Sequence, residues 1–249
     1  MADSPRLISP LSSSGRADEI AQRITEAIHL GLMADGEQLP VETEFAHQLG
    51  VSPMTLREAL GELRRQGLVE TRRGRTGGTF VRRPASPPVA MLRERLVGTT
   101  VSALRDLADE HQAGAGLSAK LAAERASAAG VRRILALVDQ LSAAQGLGAQ
   151  IRADSRFHIE IAMSTQSERL THREVALQAE TAGMLWLPFD TPLDTEAVTA
   201  EHHAIGTAIA EEDGERARQL AERHVQRNLR RLTEMHLTLT SPSKGVVDA

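Results

Sequence analysis

At 249 residues and a formal charge of −4, the chain is long enough for two domains with separate cores and is not basic overall. It has no cysteine, which excludes disulfides and thiolate metal sites and suits a reducing cytoplasm. No run of about 18 apolar residues occurs, so no membrane partner is expected; an aromatic content of 2% beside abundant alanine, leucine and arginine favours helices.

Residues 1–15 lack an apolar segment flanked by positive charge and read as a disordered lead-in, not a signal peptide. From Arg16 to Met33, the helical spacing of Ile20, Ile24, Ala27, Ile28 and Leu32 predicts a first helix, closed by Asp35-Gly36. Phe45, Ala46 and Leu49 predict a second helix that stops at Gly50. Ser52 is a good N-cap with Pro53 at the first helical position, and Leu56, Ala59, Leu60 and Leu63 give the third helix one apolar face before Gly67 ends it. Two short helices joined by about three residues form a helix-turn-helix. Its second helix enters the DNA major groove by its N-terminal end, here Pro53, Met54, Thr55 and Arg57. Strands at Leu68–Glu70 and Thr79–Val81 bracket a turn of Arg72, Arg73, Gly74, Arg75, Thr76, Gly77 and Gly78. The expected unit over residues 16–83 is a winged helix-turn-helix of three helices and a hairpin wing.

Charge agrees with that reading. Residues 57–83 hold eight arginines (57, 64, 65, 72, 73, 75, 82 and 83) against Glu58, Glu62 and Glu70, a local balance of +5 in an acidic chain. Arginines that neutralise phosphates release counterions and supply the sequence-independent part of DNA affinity. An arginine-rich helix face alone is often plain solvated surface; a helix joined to an arginine-rich hairpin fits that description less well. Thr55 and Arg57 are expected in the major groove, Arg64 or Arg65 on the backbone, and Arg72, Arg73 and Arg75 in the wing, with Gly77 and Gly78 permitting close approach.

Residues 84–90, with Pro84, Pro87 and Pro88, read as a short stiff linker. From residue 91 to 240 the signal is helical, with helices expected at 91–97, 101–128 (weak at Gly114 and Gly116), 130–145, 149–164, 167–187, 195–212 and 215–239. An all-α antiparallel bundle of six or seven helices buries these faces. Residues 241–249 are expected to be loose. Met184, Leu185, Trp186, Leu187 and Phe189 read as core or dimer packing, and arginines 223, 227, 230 and 231 as a solvated face with Glu222 and Glu234.

Residues 39–81 resemble the DNA-binding domain of the GntR family of bacterial transcription regulators. The matching pieces are Leu39-Pro40, Leu49-Gly50-Val51-Ser52, Arg57-Glu58-Ala59-Leu60, Gly67-Leu68-Val69 and Gly78-Thr79-Phe80-Val81. Val41 stands where the family has a Ser or Thr N-cap, a loss of about 1 kcal/mol of helix stability. Glu42-Thr43 and Pro53 replace a Glu-Arg pair and an Arg that commonly touch DNA, so the usual operator sequence does not carry over.

Asp154 and His158 are one helical turn apart and share a face. His202 and His224 flank the turn pair Asp213-Gly214. At about 1.5 Å per residue they lie roughly 17 and 16 Å from that turn, so two antiparallel helices bring them level. One carboxylate and three imidazoles suit a divalent ion, zinc foremost, with nickel, manganese or iron also fitting. Such spacing also arises by chance in a helical chain with nine histidines.

Residues 91–238 are similar to the all-helical FCD effector domain of the FadR subfamily of these regulators. The shared pattern is Asp154, Phe157 and His158, then Glu201-His202, Ala208-Ile209, Asp213-Gly214 and His224. The resemblance implies metal ligands at Asp154, His158, His202 and His224, with a slip to His203 as the competing register. It also puts His111 where an effector-contacting arginine often stands, with Arg105 as a substitute. The implied protein is a homodimeric, ligand-responsive regulator, usually a repressor, that reads a pseudo-palindromic operator in double-stranded DNA and binds a small carboxylate beside the metal. A metal-responsive regulator without organic effector is the alternative. A metal-dependent enzyme is a third reading, weakened by the lack of a recognisable general base or nucleophile motif.

Overall fold

The computed structural model describes residues 15–74, 77–84, 87–189 and 192–241. Most of the expected lead-in, the tail from residue 242 and the wing residue Arg75 lie outside the described residues. The chain divides into two units, one closing at Arg83 and one running from Pro84, with His29–Leu32 grouped with the second.

Helix α1 (Arg16–His29) buries Ile20, Ala21, Ile24 and Ile28 on one face. It ends one turn before the expected Met33 because the backbone turns at Gly31, whose φ of +74° suits a residue without Cβ. Helix α2 (Glu42–Gln48) starts at Val41 without a side-chain cap. Helix α3 (Pro53–Arg65) has its cap: the Ser52 hydroxyl accepts from the Thr55 amide at 3.1 Å. Strands β1 (Val69–Arg72) and β2 (Gly78–Val81) pair antiparallel, with Val69 opposite Val81 and Arg72 opposite Gly78. The first strand therefore starts one residue later than expected and takes in Arg72. The Leu68 amide donates to Leu63 O at 2.9 Å, which keeps Leu68 in the turn that closes α3. Leu39, Phe45, Leu56, Leu60, Leu63 and Val81 form the core of this unit.

Among the described residues the second unit is helical: α4 (Val89–Gly98), α5 (Val101–Arg125), α6 (Ala128–Ser142), α7 (Leu147–Ser164), α8 (Glu168–Leu185), α9 (Thr195–Ala210) and α10 (Gly214–Thr240). Helix α4 begins inside the expected linker, and α5 stops three residues early. Thr100, Ser127, Ser167, Asp194 and Asp213 cap five of the helices by accepting from first-turn amides. Helix α5 is unbroken through Gly114 and Gly116, against the weak point expected there. A Cβ at Gly116 would lie 2.6 Å from Glu222 Cγ, so this glycine lets α10 pack close. Helices α5 and α10 are each other's main partners, and α7 lies against α5, α6 and α8. The middle of α7 is consequently buried on nearly every side: Asp154, Ser155, Phe157, His158, Ile159 and Glu160 are all interior. Among the described residues no helix is long and apolar enough to cross a membrane.

Candidate metal centre and nucleic-acid interface

A helix buried all round places its polar residues in the interior, where each needs a partner. Asp154 and His158 of α7 meet His202 of α9 and His224 of α10, all four buried. Asp154 Oδ1 lies 3.4 Å from His202 Nε2 and 3.9 Å from His158 Nε2, and the His202 and His224 Nε2 atoms are 3.3 Å apart. One donor atom from each residue falls within 4.8 Å of the others. Bonds of about 2.1 Å to a common centre place neighbouring donors roughly 3.0–3.4 Å apart, so small adjustments close this set on an ion. The competing register is not used: His203 is exposed, with Nδ1 3.4 Å from Thr207 Oγ1.

Neighbouring residues aim the donors. His224 Nδ1 is 2.7 Å from Glu201 Oε2, so that nitrogen carries the proton and leaves the Nε2 lone pair facing the centre. The Trp186 indole donates to Asp154 Oδ2 at 3.0 Å, while the buried Oδ1 has no hydrogen-bond partner among the described residues. Phe157 stacks on His202, with ring centroids 3.9 Å apart and planes 10° from parallel. Asn228 Nδ2 is 3.0 Å from His224 Nε2.

Burial sets the charges. It raises the Asp154 carboxyl above its ordinary range. It lowers His158 to about 3, His224 to about 4, and His202 well below the usual imidazole value. At neutral pH the three rings are uncharged and their lone pairs are available. Three neutral imidazoles around a partnerless carboxylate oxygen are a donor set for a divalent cation.

Beside the cluster is a cavity of about 20 Å³, bordered by His111, Asp154, His158, Gln178, Thr181 and Asn228 among others. His111 is buried, with Nε2 3.4 Å from Glu174 Oε1, which also accepts from Gln178 at 2.8 Å. Burial alone would raise Glu174, but the His111 and Gln178 contacts outweigh it and bring the carboxyl down to about 2. Arg105, by contrast, is exposed on the outer side of α5 with Nη2 3.4 Å from Ser102 Oγ, and does not border this cavity. Of the two effector candidates only His111 stands beside the cluster. The position of Arg105 on α5 relative to the buried Leu104 and Leu107 turns its side chain outward.

In the first unit, Thr55 Oγ1 is 2.9 Å from Ser52 Oγ at the start of α3. Arg57 is exposed, with Nε 2.7 Å from Glu42 Oε2 of α2. Arg64 donates to Leu60 O on its own helix at 3.0 Å, and Arg65 pairs with Glu62. Arg72 pairs with Glu70 at 2.7 Å and lies 4.3 Å over the Phe80 ring. Arg73 is exposed at the end of β1. The two wing glycines have an internal reason as well: a Cβ on Gly77 would come within 2.6 Å of Arg72 O, and one on Gly78 within 2.5 Å of Gln38 Nε2.

Sequence reasoning did not assign Glu201, Trp186 or Asn228 to the centre. Glu201 adjoins His202 and had a signal in that adjacency; Trp186 sits in an apolar run that gives none.

Comparison with known proteins gives matches over both units. Residues 16–81 match the bacterial regulatory proteins of the gntR family, and residues 115–227 match the FCD domain. RmpR of Mycobacterium gastri, named as an HTH-type transcriptional regulator, is 46% identical over 226 residues, covering 90% of this chain and 82% of that protein. The Uxu operon transcriptional regulator of Escherichia coli (strain K12) is 28% identical over 210 residues, 80% of this chain and 79% of that one. Among solved structures, E. coli McbR/YncC shares the fold with a TM-score of 0.54 at 17% identity, over 89% of this chain and 98% of that chain.

Proposed function

Because this chain belongs to the GntR family of transcription regulators and carries an FCD domain behind its winged helix, we propose that it is a ligand-responsive repressor of the FadR subfamily whose helical unit holds a divalent metal ion and, beside it, a small carboxylate effector. The chain is a DNA-binding transcription regulator like its relatives, not an enzyme. The observation that carries the metal reading is the buried convergence of Asp154, His158, His202 and His224. Zinc is the first choice of ion, with nickel, manganese or iron compatible with the same donors. Bound there, the ion supplies a Lewis-acidic anchor for a carboxylate. His111, propped by Glu174, and Asn228 supply polar contacts beside it. On the DNA, a two-fold dimer reads two half-sites, with Thr55 and Arg57 in the major groove, Arg64 or Arg65 on phosphates, and Arg72, Arg73, Arg75, Gly77 and Gly78 at the wing. The effector regulates only if its affinity differs between the free and DNA-bound forms.

Native mass spectrometry of the purified full chain, set against its denatured mass, tests this directly. A dimer carrying about one metal ion per chain is expected. A metal-free species that takes up no added zinc, nickel or manganese sinks the site.

One observation favours a second reading, a metal-responsive regulator without organic effector. The cavity beside the cluster measures only about 20 Å³, and no arginine borders it among the described residues. Operator affinity that follows metal and ignores every small acid would decide for that reading.

A further inference from the structure

Arginines 227, 230 and 231 read from sequence as a solvated face, yet they border a cleft of about 360 Å³ between α10 and the segment Pro192–Asp194 that leads into α9. Guanidinium groups on a plain solvated face keep their nitrogens in water. Here one Nη2 of Arg227 and one of Arg231 are buried and have no hydrogen-bond partner among the described residues. Of the nearby acids, Asp194 acts on Arg227 and Glu234 on Arg231 through charge, but neither hydrogen-bonds the open Nη2. Asp194 Oδ1 caps α9 by accepting from the Glu196 and Ala197 amides at 3.0 and 3.1 Å. Glu201 meets Arg227 through its other terminal nitrogen, Nη1, and uses its second oxygen on His224. Glu234 is exposed at the rim. Burial also lowers the pKa of Arg227 and Arg231, the direction expected for cations partly withdrawn from water. A buried guanidinium donor left open is costly. Arg227 and Arg231 lie one helical turn apart on the same face of α10, and the group that complements two such cations in charge and acceptor capacity is an oxyanion.

We propose that this cleft is an oxyanion-binding site, in which the phosphate or carboxylate of a small ligand bridges Arg227 and Arg231 with Arg230 at the rim. Its wall is shared with the metal centre. Asn228 borders both this cleft and the inner cavity, and Arg227 holds the Glu201 carboxylate that orients His224. The site nevertheless stands on its own observations, separate from the metal reading.

The test is isothermal titration of the full chain with inorganic phosphate and, separately, with succinate, with the metal content of each sample measured in parallel. Saturable binding of at least one anion is expected with a Kd below about 1 mM. Arg231→Gln should weaken it by roughly tenfold or more while leaving metal content unchanged. Binding of phosphate alone identifies a phosphate ester as the ligand class, and of succinate alone a carboxylic acid. Absence of saturable heat up to about 10 mM of either anion overturns the site. So does binding that Arg231→Gln leaves intact, which would place the anion on the metal or elsewhere. Should Arg231→Gln fail to fold, the exposed Arg230→Gln decides: a several-fold loss supports the cleft, and unchanged affinity overturns it. Because metal content is read independently, failure of the cleft and failure of the metal centre give different results.

Discussion

His202 and His203 are neighbours in the chain and opposites in environment. His202 is fully buried between Phe157 and the other three donors, whereas His203 is exposed on the far side of α9. His202→Ala should therefore reduce bound metal from about one ion per chain to a trace, with His203→Ala unchanged, as elemental analysis of the dialysed proteins would read. The same burial sets a pH dependence. In the metal-free protein His158 titrates near 3 and His224 near 4, against 6.5 when unfolded. Below 6.5 the unfolded chain takes up protons that the fold refuses. The stability present above that pH is lost as pH falls towards 4, by up to about 1.4 kcal/mol per pH unit for each imidazole. Asp154, raised in the fold, acts in the opposite sense and blunts the loss. Thermal melts of chelator-treated protein should show Tm falling between about pH 6.5 and about pH 4.5; a flat profile would contradict neutral buried rings.

At the scale of elements, the DNA contacts proposed for α3 and the wing predict that affinity and stability separate. The Arg57–Glu42 pair is exposed and contributes about 1 kcal/mol or less to folding. Arg57→Ala should thus weaken operator binding by more than roughly tenfold with little change in Tm, and fluorescence anisotropy on operator DNA checks it. Gly77→Ala forces a Cβ against backbone oxygens of Arg72 and Gly74 and should also reduce operator affinity, this time by distorting the wing turn. Helix spacing made most of these elements legible: the apolar rows of α1 and α3, the Ser52-Pro53 start, and the one-turn spacing of Asp154 and His158 all show in the chain itself. The misreadings come where a contact between elements decides. Gly114 and Gly116 look like a break until α10 is seen packed against Gly116. Trp186 looks like ordinary core until its indole is found on Asp154. Arg227 and Arg231 look solvated until the start of α9 is placed over them. Arg105 and His111 are six residues apart and cannot be told apart by spacing alone. Burial separates them.

Across the whole molecule, α3 belongs to one unit and the buried Asp154, His158, His202 and His224 to the other, so in the proposed regulator an effector acts on DNA affinity through a coupling free energy. The donors themselves come from three helices and span the chain from residue 154 to residue 224. Asp154 and His158 alone, on one helix, form only half a site. If the proposed ion binds there, a growing chain cannot hold it firmly until α10 has been synthesised and docked, and metal capture would be a late event. An ion that arrives after the folding barrier should leave the refolding rate nearly unchanged and slow unfolding instead. Stopped-flow kinetics with and without zinc would show it, and equal acceleration of refolding would mean the half-site on α7 already recruits metal. In the late-capture case the ion acts as a clasp on a finished structure, and its loss shortens the lifetime of the folded regulator without changing how the chain finds its fold.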